Sequence, residues 1–184
     1  MKEEPVDILD EQGNQAGKTI LKSEAHRRSL WHGGAHIWIY NSKGEVLMQL
    51  RSPKKLLHPN IWDVSVAGHI PAGKTPEETV IEEAREELGL KVNQADLEFI
   101  GETEVNTAEN GGWQHRVKLW IYALKQDNLD SKSLTLEEAE TAEVKWIPLE
   151  QLAKDLKDEA KQHLYSPQPT SCYLALERLP KLLG

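Results

Sequence analysis

The chain has 184 residues and a formal net charge of -8, which allows one domain with a core of its own and argues against a general nucleic-acid surface. Its hydrophobic (39%) and charged (28%) fractions are those of a soluble globular protein. The one cysteine, Cys172, excludes an internal disulfide; no run approaches the ~18 apolar residues of a membrane span, and the N-terminus MKEEPVDILDEQG lacks a signal-peptide core, so the expected location is cytoplasmic, with no membrane or nucleic-acid partner.

In chain order, residues 6–9 and 19–21 read as two short strands around the turn EQGNQAG, and Ser23 as the cap of a short helix running to Arg28. The run AHIWIY (35–40) is a strand, NSKG (41–44) a turn and EVLMQLR (45–51) the returning strand of a β-hairpin. Residues 61–66 form a further strand, followed by a helix over 76–88. Two longer strands, 97–106 and 114–124, are joined by the loop TAENGG, and 143–147 is another strand. A helix over 148–156 carries Pro148 in its first turn, and a last helix over 170–183 is interrupted or ended near Pro180. Mixed strands with few helices predict an α/β sandwich of one domain. Of the six tryptophans, a core role is expected for most of Trp31, Trp38, Trp62, Trp113 and Trp120.

The helix at 76–88 is the most informative element. Thr75 and Glu78 have capping-box spacing, Pro76 takes the first helical position and Gly89 is placed to end it. Val80, Ile81, Ala84 and Leu88 share one face, which packs on the sheet. Glu83, Glu86 and Glu87, at i, i+3 and i+4, converge on a neighbouring face. A solvated acidic face is the plain alternative. Against it, the like-charge pairs Glu82–Glu86 and Glu83–Glu87 each cost roughly 0.2–0.5 kcal/mol, and glutamates late in a helix oppose its dipole. A divalent cation answers both costs, and hard oxygen ligands suit Mg²⁺ or Mn²⁺.

The stretch GHIPAGKTPEETVIEEAREELGL, residues 68–90, resembles the signature of the Nudix family. Gly68 takes the first glycine of that pattern, Glu83, Glu86 and Glu87 its later glutamates, Ala84 its apolar place and Gly89-Leu90 its ending. The resemblance implies an α/β/α sandwich with a mixed sheet and a metal-holding loop–helix–loop. It divides the chain into an N-terminal hairpin and helix (1–32), a core (33–165) and a C-terminal helix (166–184). It also implies Mg²⁺-dependent hydrolysis of a diphosphate linkage in a nucleoside diphosphate derivative or a related small molecule. Glu83, Glu86 and Glu87 become the candidate catalytic residues, and the same three with Gly68 the candidate metal residues. A carboxylate takes the proton of the attacking water; outside the signature the candidates are Glu109, Glu137, Glu138, Glu140 and Glu143. Two places depart from the pattern. Lys74 stands where the family has a glutamate, and Glu82 where it has an arginine that orients a catalytic carboxylate. This chain could therefore carry weakened activity, a rearranged ion network, or a ligand-binding module without turnover.

Residues 6–90 further resemble the isopentenyl-diphosphate isomerase branch of the family, in DILDEQGNQAGKT, SEAHRRSLWH and VLMQLRSPKKLLHPNIWDVSVAGHIPAG. His26, His32 and His69 match the isomerase's metal histidines, and Lys22, Arg51 and Lys55 match places that hold its diphosphate. The isomerase cysteine falls on Ala67, which has no proton to give, and its later glutamates fall near Gln114 and Arg116. Isomerase activity is therefore the least expected of the three functions, and a structural hydrogen-bonding role is expected for each histidine. The expected partner is a small diphosphate substrate; both monomer and homodimer remain open.

Overall fold

The computed structural model describes residues 3–55, 57–108, 112–167 and 170–183. Its organising strand, which follows β1 (Pro5–Leu9), β2 (Gln15–Leu21) and α1 (Lys22–Arg27), is β3 (His32–Tyr40), reading HGGAHIWIY and buried along almost its whole length. A run with apolar side chains on both faces needs cover on both sides and partners on both edges. One edge is supplied by β8 (Gln114–Lys125), parallel to β3 from His32↔Val117 to Tyr40↔Lys125. The other is shared by β6 (Val66–His69), antiparallel with Gly34 opposite His69, and by β1 at Ile8↔His32. β1 pairs with β2, and β7 (Leu97–Ala108) with β8.

The expected hairpin at 35–51 forms only at its turn. Asn41 Oδ1 accepts the backbone N–H groups of Lys43 and Glu45, but β4 (Glu45–Arg51) meets β3 at the single pair Tyr40↔Val46. It then splays away to pair with β9 (Thr141–Pro148) and with β5 (Trp62–Asp63). The strand expected over 61–66 is accordingly split into β5 and β6.

Alternate residues of β3 feed two cores. Trp38 and Tyr40 pack with α3 (Leu149–Asp155) and α4 (Thr170–Leu182) through Leu149, Leu152, Cys172, Ala175 and Leu179. Ala35, Ile37 and Ile39 pack with Val80, Ala84 and Leu88 of α2 (Pro76–Leu88). The sheet thus lies between α2 on one face and α3 with α4 on the other, the α/β/α layering expected. No helix among the described residues is long and apolar enough to cross a membrane.

α2 has the expected bounds and cap: Thr75 Oγ1 accepts the Glu78 N–H, Glu78 Oε2 accepts the Thr75 N–H, and Gly89 takes a left-handed φ of 65°. Three local expectations fail. α1 begins after Leu21 with no side-chain cap, because the Ser23 hydroxyl bonds Glu3 instead. Pro148 stands before α3 rather than within its first turn. α4 runs through Pro180 to Leu182; a proline in the last turn forfeits one hydrogen bond, and Leu179 (0% exposed) anchors that turn in the core. The centre of the TAENGG loop, with Glu109, lies outside the described residues.

Thr75→Ala removes a side-chain acceptor that Ser23→Ala does not. The first is expected to cost about 1 kcal/mol and lower the unfolding midpoint by roughly 2–4 °C; the second should stay within about 0.5 kcal/mol. Thermal unfolding of the two variants checks this.

Candidate active site

The signature helix turns two of its glutamates inward. Glu87 is 5% exposed, and its Oε2 accepts a hydrogen bond from Gln49 Nε2 at 3.2 Å. Gln49 Oε1 in turn accepts from Thr141 Oγ1 at 2.5 Å, and both partners are buried. Burial first, then the charge of Glu83, raises the Glu87 carboxyl to about 8; Gln49 and Lys55 oppose the shift. Glu83 rises to about 7, first through burial and then through Glu86, Glu4 and Glu140, with Lys22 opposing. Glu86 is exposed, 3.8 Å from Arg85. The three glutamates therefore do not share one environment: Glu87 is buried and Glu83 half-buried, both holding protons near neutrality, and Glu86 faces solvent.

Gly68 serves Glu83 by having no side chain. A Cβ there would stand 2.6 Å from Glu83 Cγ and closer still to its carboxylate, so the glycine leaves the space that Glu83 fills.

The two departures from the family pattern meet each other. Lys74 Nζ forms an ion pair with Glu82 Oε2, and Glu82 is the leading cause raising the Lys74 amine above its ordinary range. An acid and a base have exchanged places and the attraction between them is kept. Both side chains are more than a third exposed, so the pair is worth at most ~1 kcal/mol. Its consequence is local: Glu82 has a partner in the loop before α2.

Beside Gly68 opens a cavity lined by Arg51, Lys55, His58, Asp63, Ala67 and Cys172, among others. Arg51 is largely committed within its wall. Its Nε donates to the His58 carbonyl and one terminal nitrogen to the Leu57 carbonyl, each at 3.0 Å, while the other lies 3.3 Å from Asp63. Lys55 pairs with Glu140. Lys22 is not among the lining residues, but its charge acts on Glu83, His26, His32 and His69. Cys172, remote in sequence and outside any motif, is brought into the wall by α4, where burial pushes its thiol up. On the same wall Trp38 Nε1 donates to Ser171 Oγ, which lies 3.0 Å from His36 Nδ1. Burial keeps His36 neutral, lowered to about 4.

At the other side of the cavity four histidines come together. His26, His32, His69 and His115 each offer a ring nitrogen, all within 4.8 Å of one another; no other such group of three or more histidine, cysteine or acidic side chains occurs among the described residues. His26 Nε2 and His32 Nε2 are 3.1 Å apart, near the ~3.3 Å separating two nitrogens on one tetrahedral zinc ion. His32 Nδ1 is 2.9 Å from the Leu30 carbonyl. That bond places the proton on Nδ1 and leaves Nε2 a ligand, the usual arrangement of a metal-binding imidazole. Burial lowers His26 to about 4 and His115 to about 3, the neutral state that metal binding needs. Separate structural roles were expected for His26, His32 and His69. They instead form one cluster, with Trp113 stacked on His26 at 5.2 Å.

His115 escaped the sequence reading, which looked to Gln114 and Arg116. The alternation of β8 held the signal: Val117, Leu119 and Ile121 are buried, and His115 continues their face. Arg116 bonds Gln114 and lies over Trp31. Gln49 and Thr141 carried no signal, since both are ordinary strand residues.

A family model described as NUDIX domain matches residues 30–166. The chain is 32% identical over 164 residues to Nudix hydrolase 3 of Arabidopsis thaliana, covering 86% of this chain but only 21% of that protein. It is 33% identical over 161 residues to an uncharacterized Nudix hydrolase of Clostridium acetobutylicum, covering 85% and 75%. It is 39% identical over 93 residues to the isopentenyl-diphosphate Delta-isomerase of Salmonella heidelberg, covering 50% and 51%. Among solved structures, a protein of Deinococcus radiodurans superposes with a TM-score of 0.68 at 22% identity, covering 93% and 97%.

Glu83 and Glu87 bind protons more tightly folded than unfolded. Their contribution to stability is therefore complete below the ordinary glutamate value of 4.5 and lost as pH rises through about 7 and about 8. Burial lowers the clustered His26, His32, His69 and His115, so they stay neutral across a window from about pH 6.5 to about pH 8.5, in which the two carboxyls titrate. Metal-free protein is expected to melt at a lower temperature at the alkaline end. Glu87→Gln should flatten that dependence, as measured by calorimetry.

Proposed function

The chain belongs to the Nudix hydrolase family, and from that premise we propose that it is a Mg²⁺-dependent hydrolase cleaving a diphosphate linkage in a nucleoside diphosphate derivative or a related small molecule. The observation that carries this reading is the pair Glu83 and Glu87. A buried carboxyl, Glu87, and a half-buried one, Glu83, hold protons near neutral pH, with Glu83 directly behind the Gly68 wall of a cavity that Arg51 and Lys55 also line. Such a pair is costly to ionise without a cation, and its hard oxygens suit Mg²⁺.

Glu83 and Glu87 would hold the ion, with the more exposed Glu86 at the rim. Bound there, magnesium would neutralise diphosphate oxygens and acidify a water. The chain's own residues supply the rest. Gln49, itself fixed by Thr141, orients Glu87. Lys55 offers an ammonium to a phosphate oxygen, and Arg51 keeps the loop that carries Lys55 against Asp63. The Lys74–Glu82 pair supports a working site over an inert binding module, because the reversed charge at Glu82 is answered rather than left against Glu83. Isomerase chemistry finds little support: the cavity wall has Ala67 where the resemblance calls for a cysteine, and the carboxylates expected near 114 and 116 are absent.

The histidine cluster favours a second divalent ion. Four imidazoles suit a borderline metal such as Zn²⁺ better than Mg²⁺. Metal analysis of protein loaded with Zn²⁺ and then dialysed should find one retained ion, lost in His32→Ala/His69→Ala; no retention by the unaltered protein would refute it.

The main test incubates the protein with Mg²⁺ and a panel of nucleoside di- and triphosphates, dinucleotides, nucleotide sugars, thiamine diphosphate and isopentenyl diphosphate. Phosphate or nucleotide release that chelation abolishes, and that Glu83→Gln or Glu87→Gln lowers on the order of a hundredfold, is the expected result. Saturable binding without release would establish the binding module instead, and conversion of isopentenyl diphosphate would establish the isomerase.

A further inference from the structure

His36 sits in the middle of the apolar strand β3. Its neighbours Ile37, Trp38 and Ile39 are each 0% exposed, yet His36 is only half-buried, and it lines the cavity. An imidazole placed there is costly unless its nitrogens are paired. One of them is: Nδ1 lies 3.0 Å from Ser171 Oγ, which also accepts from Trp38 Nε1 at 2.9 Å. Trp38 and Ser171 are both buried, so this chain of contacts fixes the ring. Among the described residues Nε2 has no such bond. A neutral imidazole has a donor on one nitrogen and an acceptor on the other, so Nε2 is a hydrogen-bonding atom whichever way the proton between Nδ1 and Ser171 points.

Strand register sets what surrounds the ring. His36 pairs with Ala67 across the antiparallel β3–β6 contact and with Ile121 across the parallel β3–β8 contact. Ala67 stands where the isomerase resemblance calls for a thiol, so a methyl group borders the imidazole instead. Two residues back on the same strand, Gly34 also lines the cavity; a Cβ there would come within 2.8 Å of Val117 and Leu119. Two small residues thus leave room beside the ring, and Val64, Val105, Val117 and Leu119 make the surrounding wall apolar. The charges that act on His36 are those of Asp63 and Arg51. The ring therefore stands near the cation end of the cavity, where the organic group of a bound diphosphate begins.

A single polar atom set in an apolar wall discriminates by chemistry. A ligand that offers a nitrogen or an oxygen completes the pairing of His36. A hydrocarbon excludes water and leaves Nε2 unpaired, and sites built around a hydrogen bond reject analogues that lack it far more strongly than apolar pockets reject a change of one methyl group.

We propose that His36 selects the organic part of the substrate: the cavity takes diphosphates whose attached group carries a hydrogen-bonding nitrogen or oxygen, as a nucleoside or another heterocycle does, and disfavours hydrocarbon diphosphates. This rests on the hydrolase reading for the diphosphate, but it is tested by binding alone. Metal-free protein is titrated calorimetrically with adenosine diphosphate, thiamine diphosphate, isopentenyl diphosphate and inorganic pyrophosphate. At least one of the two heterocyclic ligands should bind on the order of tenfold more tightly than isopentenyl diphosphate. His36→Leu should weaken that ligand about tenfold, tighten isopentenyl diphosphate, and change pyrophosphate less than about twofold, since pyrophosphate has no organic part to read. His36→Gln, which keeps a polar group, should keep the order of affinities. The assignment is overturned if neither heterocyclic ligand binds more tightly than isopentenyl diphosphate, or if His36→Leu changes all the affinities alike. A loss shared by pyrophosphate would put His36 on the diphosphate itself and overturn it as well. If the preference and its inversion appear but nothing on the panel is hydrolysed, the hydrolase reading falls and the role of His36 stands; hydrolysis without the preference does the reverse.

Discussion

A buried carboxyl at Glu87 with a half-buried one at Glu83, a helical turn away, is an expensive arrangement, and much of this structure serves to keep the two in it. The capping box and left-handed Gly89 fix where α2 starts and stops. Val80, Ala84 and Leu88, each 0% exposed, press its apolar face onto the sheet. With the rotation of the helix so determined, Glu87 is carried inward beside Gln49 and Glu83 into the space that Gly68 leaves empty. Burial of apolar surface thus compensates the desolvation of two acids.

The same accounting separates the two cations of the cavity wall. Arg51 spends its donors on loop carbonyls and Asp63, so it shapes the wall more than it offers charge to a ligand. Among the described residues Lys55 pairs with one carboxylate, Glu140, on a segment bonded to the signature helix. That segment joins the cavity loop to the signature helix through hydrogen bonds.

The likeness to isopentenyl-diphosphate Delta-isomerase is one of sequence over half of this chain, and the residues around the cavity set the two apart. Ala67 removes the thiol beside Gly68, and His115 brings a fourth imidazole. An all-nitrogen cluster selects softer metals than one that includes carboxylates. Two clusters of opposite character, oxygen on α2 and nitrogen across α1, β3, β6 and β8, consequently flank one cavity.

What the sequence determined by itself is what depends on local rules. The helix at 76–88 was legible in full because cap, period and stop signal lie within a few residues of each other, and most strands were legible from their apolar runs. Gly68, Glu83 and Glu87 were legible as site candidates for the same reason of fixed spacing. The tertiary structure alone decided the pairings between distant segments. The splay of β4 from β3, the extension of α4 through Pro180, the meeting of Lys74 with Glu82, the Thr141–Gln49–Glu87 relay and the arrival of His115 beside His26 depend on which strands adjoin. Sheet partners are chosen by complementarity across the whole core, and no short window of residues contains that information.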